Sequence, residues 1–530
     1  MNSVLITGKL NTNYEFTQNI TSNISILKLK EKKIAEIDLT VLQNCKNLRG
    51  LFLSDNKLKE LNLEPLQKCP KFSDLDLSNN ILNSINLKPL KKCKNLKSIF
   101  LDHNFLTDVN LKPLQNCTKL IDITLSYNKF TEVDLSSLKN CKNLETINLQ
   151  DNELKKIDLS PFNNFPKLSS IILPTNQLKE LKLYNFPSLQ ELDLRNNRLQ
   201  DLDIIPLKNS LKLLRVNLNS NHLTSFDFQP LQNCTSLEFI YLIDNKIKEL
   251  NLISLPNLRS LSLGINSLKK LDLTPLKNSK KLSSIILNKN QLQDIKLVEV
   301  PNLETLNLKE NELNSIDLTP IQGCSKLNQI DLSFNKLKEI NLSPLKKCNN
   351  FQYLNLNDNP LEKLNLIPLM YCSQLRIFNL FRTSLSSLNL TPLKHTAIQF
   401  LDLSECKLKS VILSPMKNLN SLDLRINQIS SLDLSPLKQS TKLNTLYLFS
   451  NQLKSLDLSP LHFCTELRDL RLIDNPIISL DITPLLDFKK LMYFVINDDV
   501  KLQIQKSKRK KKISSKVIKS LIKKQSIEWI

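Results

Sequence analysis

An asparagine recurs along this 530-residue chain at intervals of mostly 24 residues, each time inside the frame LxxLxLxxNxL. A fixed period in this range marks a solenoid, because one coil of this size cannot bury its apolar face alone and has to stack on its neighbours. The period assigns nearly every residue to one face of the stack, so functional residues must be sought among those that the frame leaves free. We predict a structural ladder that includes Asn56, Asn80, Asn104, Asn128, Asn152, Asn335, Asn359, Asn427, Asn451 and Asn475.

The first half of each coil has the periodicity of a β-strand. In the segment GLFLSDN, Leu51 and Leu53 alternate with residues that would face outward. Stacked coils would place these strands side by side in a parallel sheet, about 4.8 Å apart. The asparagine then lies where the chain turns inward, and its amide can pair with backbone groups that a buried turn would otherwise leave unpaired.

The second half of a coil reads LxLSPLKKCxNL and predicts one short helical turn on the opposite, convex side. In Ser343 and Pro344, for example, the serine hydroxyl would cap the helix and the proline would occupy its first position. Four coils are only 21 residues long, and we expect them to cross the convex side in extended form. The aspartates of the IDL and LDL frames, such as Asp317, Asp433 and Asp457, would form a solvated edge.

Aligning the chain on the asparagine gives 21 coils, with Lys32, Thr383, Cys406 and Asp499 in the asparagine slot of four of them. The frame resembles that of the leucine-rich repeat family, L-x-x-L-x-L-x-x-N/C-x-L, and Cys406 is that family's own alternative. The resemblance implies an α/β solenoid, a horseshoe or superhelix with a parallel sheet on its concave face and short helical or extended convex segments. We predict an N-terminal cap or flank over 1–23, the solenoid over 24–502, and a basic C-terminal tail with a helix, acting as a cap, over 503–530.

Glycine and histidine are too sparse for the common catalytic frameworks. The chain has four of each, which cannot form a P-loop or a dinucleotide-binding motif, and the solenoid would hold the histidines far apart. We therefore predict no catalytic residue, no metal site and no cofactor. Ten of the 11 cysteines fall at one repeat position that elsewhere holds Ser, Thr or Phe, which indicates buried packing rather than disulfides. Free thiols, with no signal sequence visible, favour a reducing, cytoplasmic location.

The positive charge lies away from the predicted concave face. Formal net charge is +22, and residues 501–530 hold eleven Lys or Arg against Glu528 alone. The three outward positions of each predicted strand hold ten acids and seven bases, which argues against nucleic acid in the concave groove. The tail can be interpreted as a cap on the last coil, as a binder of an anionic membrane or acidic partner, or as a nuclear or nucleic-acid signal.

Proteins with leucine-rich repeats generally present the concave sheet to a partner, so the resemblance implies the same here. Large aromatic side chains that point outward are candidate anchors, although aromatic rows can also simply pack strands together. The candidate partner-binding residues are Phe381, Phe400, Asp423, Arg425, Tyr447, Phe449, Arg471 and Tyr493. A secondary acidic patch comprises Asp74, Asp76, Asp102 and Asp122.

These observations together predict a monomeric, non-enzymatic scaffold that binds a protein partner on the concave face and regulates it or acts in signalling. Two alternatives stay open. The convex segments also resemble the internalin type of repeat, which would suit a surface or secreted adhesin. The basic tail would suit membrane or nucleic-acid association.

Overall fold

The computed structural model describes residues 3–508, 513–524 and 527–530. The chain divides into two compact units, Met1–Ser267 and Leu268–Ile530, and each is described by itself below. Both are built from the same coil.

In the first unit the strands are very short after an N-terminal hairpin. In chain order they are β1 (Ser3–Leu10), β2 (Glu15–Thr21), β3 (Ile26–Lys28), β4 (Ile34–Asp38), β5 (Gly50–Phe52), β6 (Asp74–Asp76), β7 (Ser98–Phe100), β8 (Asp122–Thr124), β9 (Thr146–Asn148), β10 (Ser170–Ile172), β11 (Glu191–Asp193), β12 (Arg215–Asn217), β13 (Phe239–Tyr241) and β14 (Ser260–Ser262). Between them lie 3₁₀ helices at Thr40–Asn44, Glu64–Lys68, Lys88–Lys92, Lys112–Leu114, Ser136–Asn140, Ser160–Phe162, Ile205–Asn209 and Gln229–Leu231.

The second unit follows the same plan. Its strands are β15 (Lys270–Asp272), β16 (Ser284–Ile286), β17 (Asp294–Lys296), β18 (Thr305–Asn307), β19 (Gln329–Asp331), β20 (Tyr353–Asn355), β21 (Ile377–Asn379), β22 (Ser387–Asn389), β23 (Phe400–Asp402), β24 (Ser410–Ile412), β25 (Ser421–Asp423), β26 (Thr445–Tyr447), β27 (Asp469–Arg471), β28 (Ser479–Asp481), β29 (Tyr493–Val495), β30 (Lys501–Ile504) and β31 (Ile527–Trp529). Its 3₁₀ helices are Thr274–Asn278, Thr319–Ile321, Ser343–Lys347, Ile367–Tyr371, Thr391–His395, Ser435–Gln439, Ser459–Phe463, Thr483–Leu485 and Lys506–Lys508, and one α-helix, α1, spans Lys516–Lys524.

The three residues of each coil's strand pair with their equivalents in the next coil, which builds a parallel sheet in each unit. In the first unit the sheet runs from β3 through β5 to β14, and Leu51, for example, lies opposite Leu75. In the second it includes β16, β18–β21, β23, β25–β27 and β29. In these sheets the middle residue of each three-residue strand is buried, and its two neighbours lie on the other face, which we call the open face. This alternation is the expected period of two.

The ladder asparagines bind the backbone of successive coils, as predicted. Asn335 Oδ1 accepts the Leu313 N–H at 3.0 Å, and Nδ2 donates to the carbonyl oxygens of Leu308 and Leu332, both at 3.0 Å. Asn104 makes the equivalent bonds in the first unit. The amide thus satisfies groups on two coils at once, in the buried turn where water cannot.

The ladder changes chemistry where the asparagine is missing. Thr383 Oγ1 donates to Cys406 Sγ at 3.2 Å, and Cys406 Sγ lies 3.0 Å from the Leu380 carbonyl oxygen. The next asparagine, Asn427, accepts two backbone N–H groups through its Oδ1, those of Cys406 and Leu408. A hydroxyl and a thiol therefore replace two amides at these slots.

The predicted helical turn is present as a 3₁₀ turn, but the predicted serine or threonine cap is wrong. The helix beginning at Ser343 has no side-chain cap on its preceding residue, and the Ser343 N–H is instead held by Asn341 Oδ1 at 3.0 Å. Asp317 Oδ1 holds the Thr319 N–H at 2.8 Å in the same way. Because the hydroxyl residue is itself the first residue of the turn, the acceptor has to come from two residues earlier. The column of aspartates is exposed, as expected, but it also fixes the start of each turn.

The eleven cysteines are all buried as free thiols, which confirms their packing role. Cys93 Sγ donates a weak hydrogen bond to the Leu66 carbonyl oxygen at 3.8 Å, and burial raises its pKa to about 12. In the four 21-residue coils, the described residues form no 3₁₀ turn between β10 and β11, β13 and β14, β16 and β18, or β23 and β25. Those segments cross the convex side without a helix.

The two ends of the chain carry elements outside the repeat. The antiparallel hairpin β1–β2 pairs through β1 with β4, and a side chain at Gly8 would collide with the Glu36 carbonyl oxygen. At the other end α1 contacts β29, the Ser515 N–H donates to the Leu486 carbonyl oxygen at 3.1 Å, and Ile518 is fully buried. β30 pairs with both β28 and β31. Residues 509–512 of the predicted basic tail lie outside the described residues.

Candidate partner-binding surface

The predicted partner-binding residues lie on the open face of the second unit, on or beside six neighbouring strands. We call the set Phe381, Phe400, Asp423, Arg425, Tyr447, Phe449, Arg471 and Tyr493 the aromatic surface. Phe400 and Tyr493 are 46% and 54% exposed, while Tyr447 and Phe449 are partly buried. The strand register places Asp423, Tyr447 and Arg471 at the same position of successive strands.

Asp469 binds two of these residues, and a third lies beside the bound arginine, which makes one network. Tyr447 Oη donates to Asp469 Oδ2 at 2.9 Å, and Arg471 binds the same carboxylate in a fork, through Nε to Oδ1 and Nη2 to Oδ2, both at 2.9 Å. The Arg471 guanidinium lies 5.1 Å from the Tyr447 ring centre and 6.0 Å from that of Tyr493. The hydrogen bond to Asp469 keeps the pKa of Arg471 raised. The Tyr447 ring is thus held in place by its hydrogen bond to Asp469 and by the adjacent guanidinium.

A second, adjoining group is centred on Arg425. Its guanidinium lies 5.9 Å from the Phe449 ring centre and 3.4 Å from Asp423 Oδ2, and the Phe449 and Tyr447 rings are 6.1 Å apart. Asp423 was predicted to contact the partner directly, yet it is only 9% exposed. Burial, with a contribution from the nearby Asp402, raises the pKa of Asp423 to about 6. Its observed role is to hold Arg425, whose backbone N–H it also accepts at 3.1 Å.

Phe381 belongs to a separate group of charged residues. The Arg382 guanidinium lies 4.7 Å from the Phe381 ring centre, and its Nε donates to Glu405 Oε2 at 2.8 Å. Two strands, β23 and β25, separate Phe381's own strand from that of Tyr447. The structure therefore divides the predicted anchor into a Tyr447–Tyr493 part and a Phe381 part.

Sequence reasoning missed Arg382 and the row to which it belongs. In both units the residue before the ladder slot adopts a positive φ, and these residues include Tyr127, Ile265, Phe334, Arg382 and Ile426. Several are large and exposed, among them Phe334 at 43% and Ile426 at 45%. These residues could have been found from their fixed position in the repeat, one residue before the ladder asparagine. That position alone does not indicate that the side chain is exposed.

The acidic patch of the first unit has different partners from Asp423 and Asp469 of the second unit. Asp74 Oδ1 accepts the Ser98 hydroxyl at 2.6 Å, and Asp102 Oδ1 accepts the Thr124 hydroxyl at 2.7 Å. Burial, and then Glu145, raise the pKa of Asp122. Among the described residues none of Asp74, Asp76, Asp102 and Asp122 forms a salt bridge. The patch keeps its negative charge unpaired.

The first unit has one aromatic pair on the same columns. The Phe239 and Tyr241 rings stack at 6.2 Å with an interplanar angle of 17°, and Arg215 lies 5.1 Å from the Phe239 ring centre. Arg215 also forms a salt bridge with Glu191 at 3.7 Å, but among the described residues no aspartate binds Tyr241 and Arg215 together as Asp469 binds Tyr447 and Arg471. The aromatic pair is therefore a matched internal control for the aromatic surface.

Within the described part of the chain, no group of three or more His, Cys, Asp or Glu side chains could hold a metal ion. Searched over the same residues, no helix is long and apolar enough to cross a bilayer. The chemistry of the surface is that of aromatic, hydrogen-bonding and charged contact, which suits recognition.

Comparison with known proteins points to one repeat family. A family model described as the BspA type leucine rich repeat region matches residues 12–144 and 107–238 in six copies, and a second leucine rich repeat model matches residues 301–361. No curated protein matches the chain in sequence.

Three solved structures illustrate the likeness of fold. The plant peptide hormone receptor RGFR1, in complex with RGF2, has a TM-score of 0.68 and 20% identity, over 94% of this chain and 90% of that one. The Arabidopsis receptor kinase HAESA, in complex with the peptide hormone IDA and the co-receptor SERK1, has a TM-score of 0.65 and 21% identity, over 91% of this chain and 83% of that one. YopM from Yersinia enterocolitica has a TM-score of 0.64 and 22% identity, over 91% of each chain.

Proposed function

The chain belongs to the leucine-rich repeat family, and on that premise we propose that it is a non-enzymatic scaffold whose aromatic surface binds a protein partner. The observation that carries the proposal is the network of Tyr447, Asp469, Arg471 and Tyr493. Tyrosine and arginine, with tryptophan, are the residues most enriched among the energetic anchors of protein interfaces.

The aromatic surface is preorganised, which lowers the entropic cost of binding. Arg471 is fixed by two hydrogen bonds to Asp469 and lies between two tyrosine rings. Each immobilised long side chain would otherwise cost about 0.5–1.5 kcal/mol on association. The exposed rings of Phe400 and Tyr493 extend the apolar contact area at either side.

Related folds support a protein ligand. RGFR1 and HAESA are seen in complexes with RGF2 and with IDA and SERK1, respectively. We transfer from them the general mode, a polypeptide held by the repeats, and not a particular ligand. The regulatory or signalling role and the cytoplasmic location are part of the same proposal, the latter supported by the buried thiols.

The acidic patch of the first unit is proposed as a secondary surface that attracts basic segments of a partner. Unpaired carboxylates raise association rates for positively charged ligands, and salt screens this effect strongly. Binding that depends on this patch should therefore weaken as ionic strength rises.

The basic tail is a weaker candidate for function. A membrane-binding amphipathic helix needs a free apolar face. In α1, Ile518 is fully buried against the protein, while Lys516 and Lys519 are exposed. We therefore propose that the partner binds the open face of the sheet and that the tail caps the C-terminal end of the fold.

The decisive experiment captures the partner with the wild-type chain and then measures direct binding between the two purified proteins. The triple variant Phe381→Ser, Tyr447→Ser and Phe449→Ser should abolish binding, because truncating an anchor costs roughly 2 kcal/mol or more. The double variant Phe239→Ser and Tyr241→Ser is the matched control and should bind normally.

Retained affinity in the triple variant, with an unchanged circular dichroism spectrum, would move the site elsewhere. If only the double variant at Phe239 and Tyr241 loses binding, the binding site lies on the first unit. Fractionation of native cells tests the adhesin alternative, which requires the protein to be found outside the cell or on its surface.

A further inference from the structure

Among the residues that the structure describes, the last strand of the N-terminal hairpin pairs with only one neighbouring strand. Its sheet has the order β2–β1–β4, so β2 is an edge strand of seven residues, Glu15–Thr21. Most of β2 is exposed, and Ile20 is its one buried residue. An edge of this kind presents backbone N–H and C=O groups that can pair with another strand.

Two hydrogen bonds show which backbone groups of the hairpin face outward. The Leu10 N–H donates to the Tyr14 carbonyl oxygen at 2.9 Å, and the Asn11 N–H donates to the Lys33 carbonyl oxygen, toward β4, at 2.8 Å. Antiparallel strands alternate between bonded and non-bonded pairs. Even-numbered residues of β1 therefore bond to β2, and odd-numbered ones bond toward β4.

In β2 the same alternation directs the groups of Glu15, Thr17 and Asn19 away from β1. Their pairs are Lys9, Thr7 and Leu5, the odd-numbered residues. Within the described structure, the Asn19 carbonyl oxygen accepts only the side-chain amide of the adjacent Gln18, at 2.9 Å. The outward edge is thus available for a further strand.

The edge lacks the features that usually protect such strands. Its sequence, EFTQNIT, contains no proline and no lysine, and its one charge is Glu15 at the end. Natural edge strands are normally shortened, bulged or charged to prevent pairing. β1 and β2 pair in continuous register along the full length of the edge strand.

The edge is complementary to itself. Consider a second copy in antiparallel orientation, related by a two-fold axis at Gln18. The outward groups of Thr17 then face those of Asn19 of the second copy, as a bonded pair. Phe16 lies opposite Ile20 of the second copy, an aromatic and β-branched pair of the kind that stabilises sheets. The two copies of Gln18 lie directly opposite each other.

We propose that β2 joins two copies of this chain edge to edge, with the two-fold axis at Gln18, into one continuous sheet. This replaces the monomer expected from the sequence. A seven-residue edge is a small interface, and the dimer should therefore be reversible and concentration-dependent.

Sedimentation velocity over a concentration series tests the proposal, and the wild-type chain should shift from monomer to dimer. Thr17→Pro removes an outward N–H and leaves the bonds to β1 in place, so it should remain monomeric. Thr17→Val keeps the N–H and is the matched control, which should dimerise like the wild type. A chain that stays monomeric at every concentration would overturn the proposal.

A charge pair tests the register independently of any proline effect. Opposed side chains in an antiparallel pair are roughly 5 Å apart at Cβ, so like charges there repel. Gln18→Lys and Gln18→Glu should each weaken the dimer when alone, and a mixture of the two should restore it. Dimers that form equally well in all three samples would place the contact elsewhere and contradict the proposal. If the wild-type chain is monomeric but captures a different protein, and Thr17→Pro abolishes that capture, then β2 pairs with a strand of the other protein and the dimer proposal is overturned.

Discussion

The acidic patch of the first unit and the aromatic surface of the second lie on the same backbone frame, but the aspartates of these two surfaces have different partners. In the first unit Asp74 and Asp102 accept bonds from serine and threonine hydroxyls, which leave the negative charge in place. In the second unit Asp469 binds Arg471, which neutralises the charge and fixes an aromatic group above it. A neutral hydrogen-bond donor leaves the surface acidic, whereas a cationic donor neutralises the carboxylate and fixes an aromatic surface.

The residues of the repeat frame and those of the open face vary independently of each other. The ladder makes equivalent bonds at Asn104 and Asn335, although the open faces of those two coils differ. Substitutions in the frame should therefore act alike in both units, whereas substitutions on the face should act in one only.

The largest effect is expected from the ladder. Asn104→Ala in the first unit and Asn335→Ala in the second should each lower the free energy of unfolding by about 1–3 kcal/mol, because each leaves buried backbone groups unpaired. Urea unfolding followed by circular dichroism measures the loss.

Asn233→Ala, at an exposed position, is the control and should change stability by less than about 0.5 kcal/mol. A large loss in one unit and none in the other would show that the frame is not shared.

A smaller effect, of opposite sign in the two units, is expected from exchanging residues at the positive-φ row. Asn196 has φ of 54° and Ile426 has φ of 52°. Asparagine tolerates this conformation and isoleucine does not, so Ile426→Asn should stabilise the chain by about 1 kcal/mol and Asn196→Ile should destabilise it by a similar amount. Unfolding midpoints that move in the same direction for both variants would refute a common backbone strain.

The smallest effect is a pH dependence that comes from Asp423 in the second unit. Burial raises the pKa of Asp423 from 3.8 to about 6. The folded state then holds the proton more tightly than the unfolded state, so this residue's contribution to stability is largest at low pH and declines as pH rises through the folded pKa of about 6. Asp423→Asn should remove that decline from unfolding midpoints measured at intermediate pH.

Asp317, an exposed aspartate that holds a 3₁₀ turn, provides the opposite sign. The hydrogen bonds from Thr319 lower its pKa, so its contribution is present above the unfolded value and is lost as pH falls through the lower folded value. An unchanged pH profile in Asp423→Asn would show that the buried carboxyl is not the titrating group.

Local repetition is what made the fold readable from the sequence. The spacing of Asn56, Asn80 and their equivalents predicted both the strand and the inward turn, because each feature repeats the same short pattern. The predicted cap at Ser343 is wrong because a shift of one residue decides whether the serine precedes the 3₁₀ turn or is its first residue. Asp423 was misjudged in exposure for a related reason. Period-two alternation gives the face of a residue and not how deeply its neighbours cover it.

The sequence by itself determined the coil, the ladder, the buried thiols and the columns on which contact residues stand. These follow from apolar and polar periodicity within about 24 residues. Only the tertiary structure decided that Asp469 holds Arg471 and Tyr447 and that Phe381 stands apart from them. It also decided that β2 has no second neighbouring strand among the described residues. The physical reason is that side-chain partners on adjacent coils depend on rotamers and strand register, which a one-dimensional period does not specify.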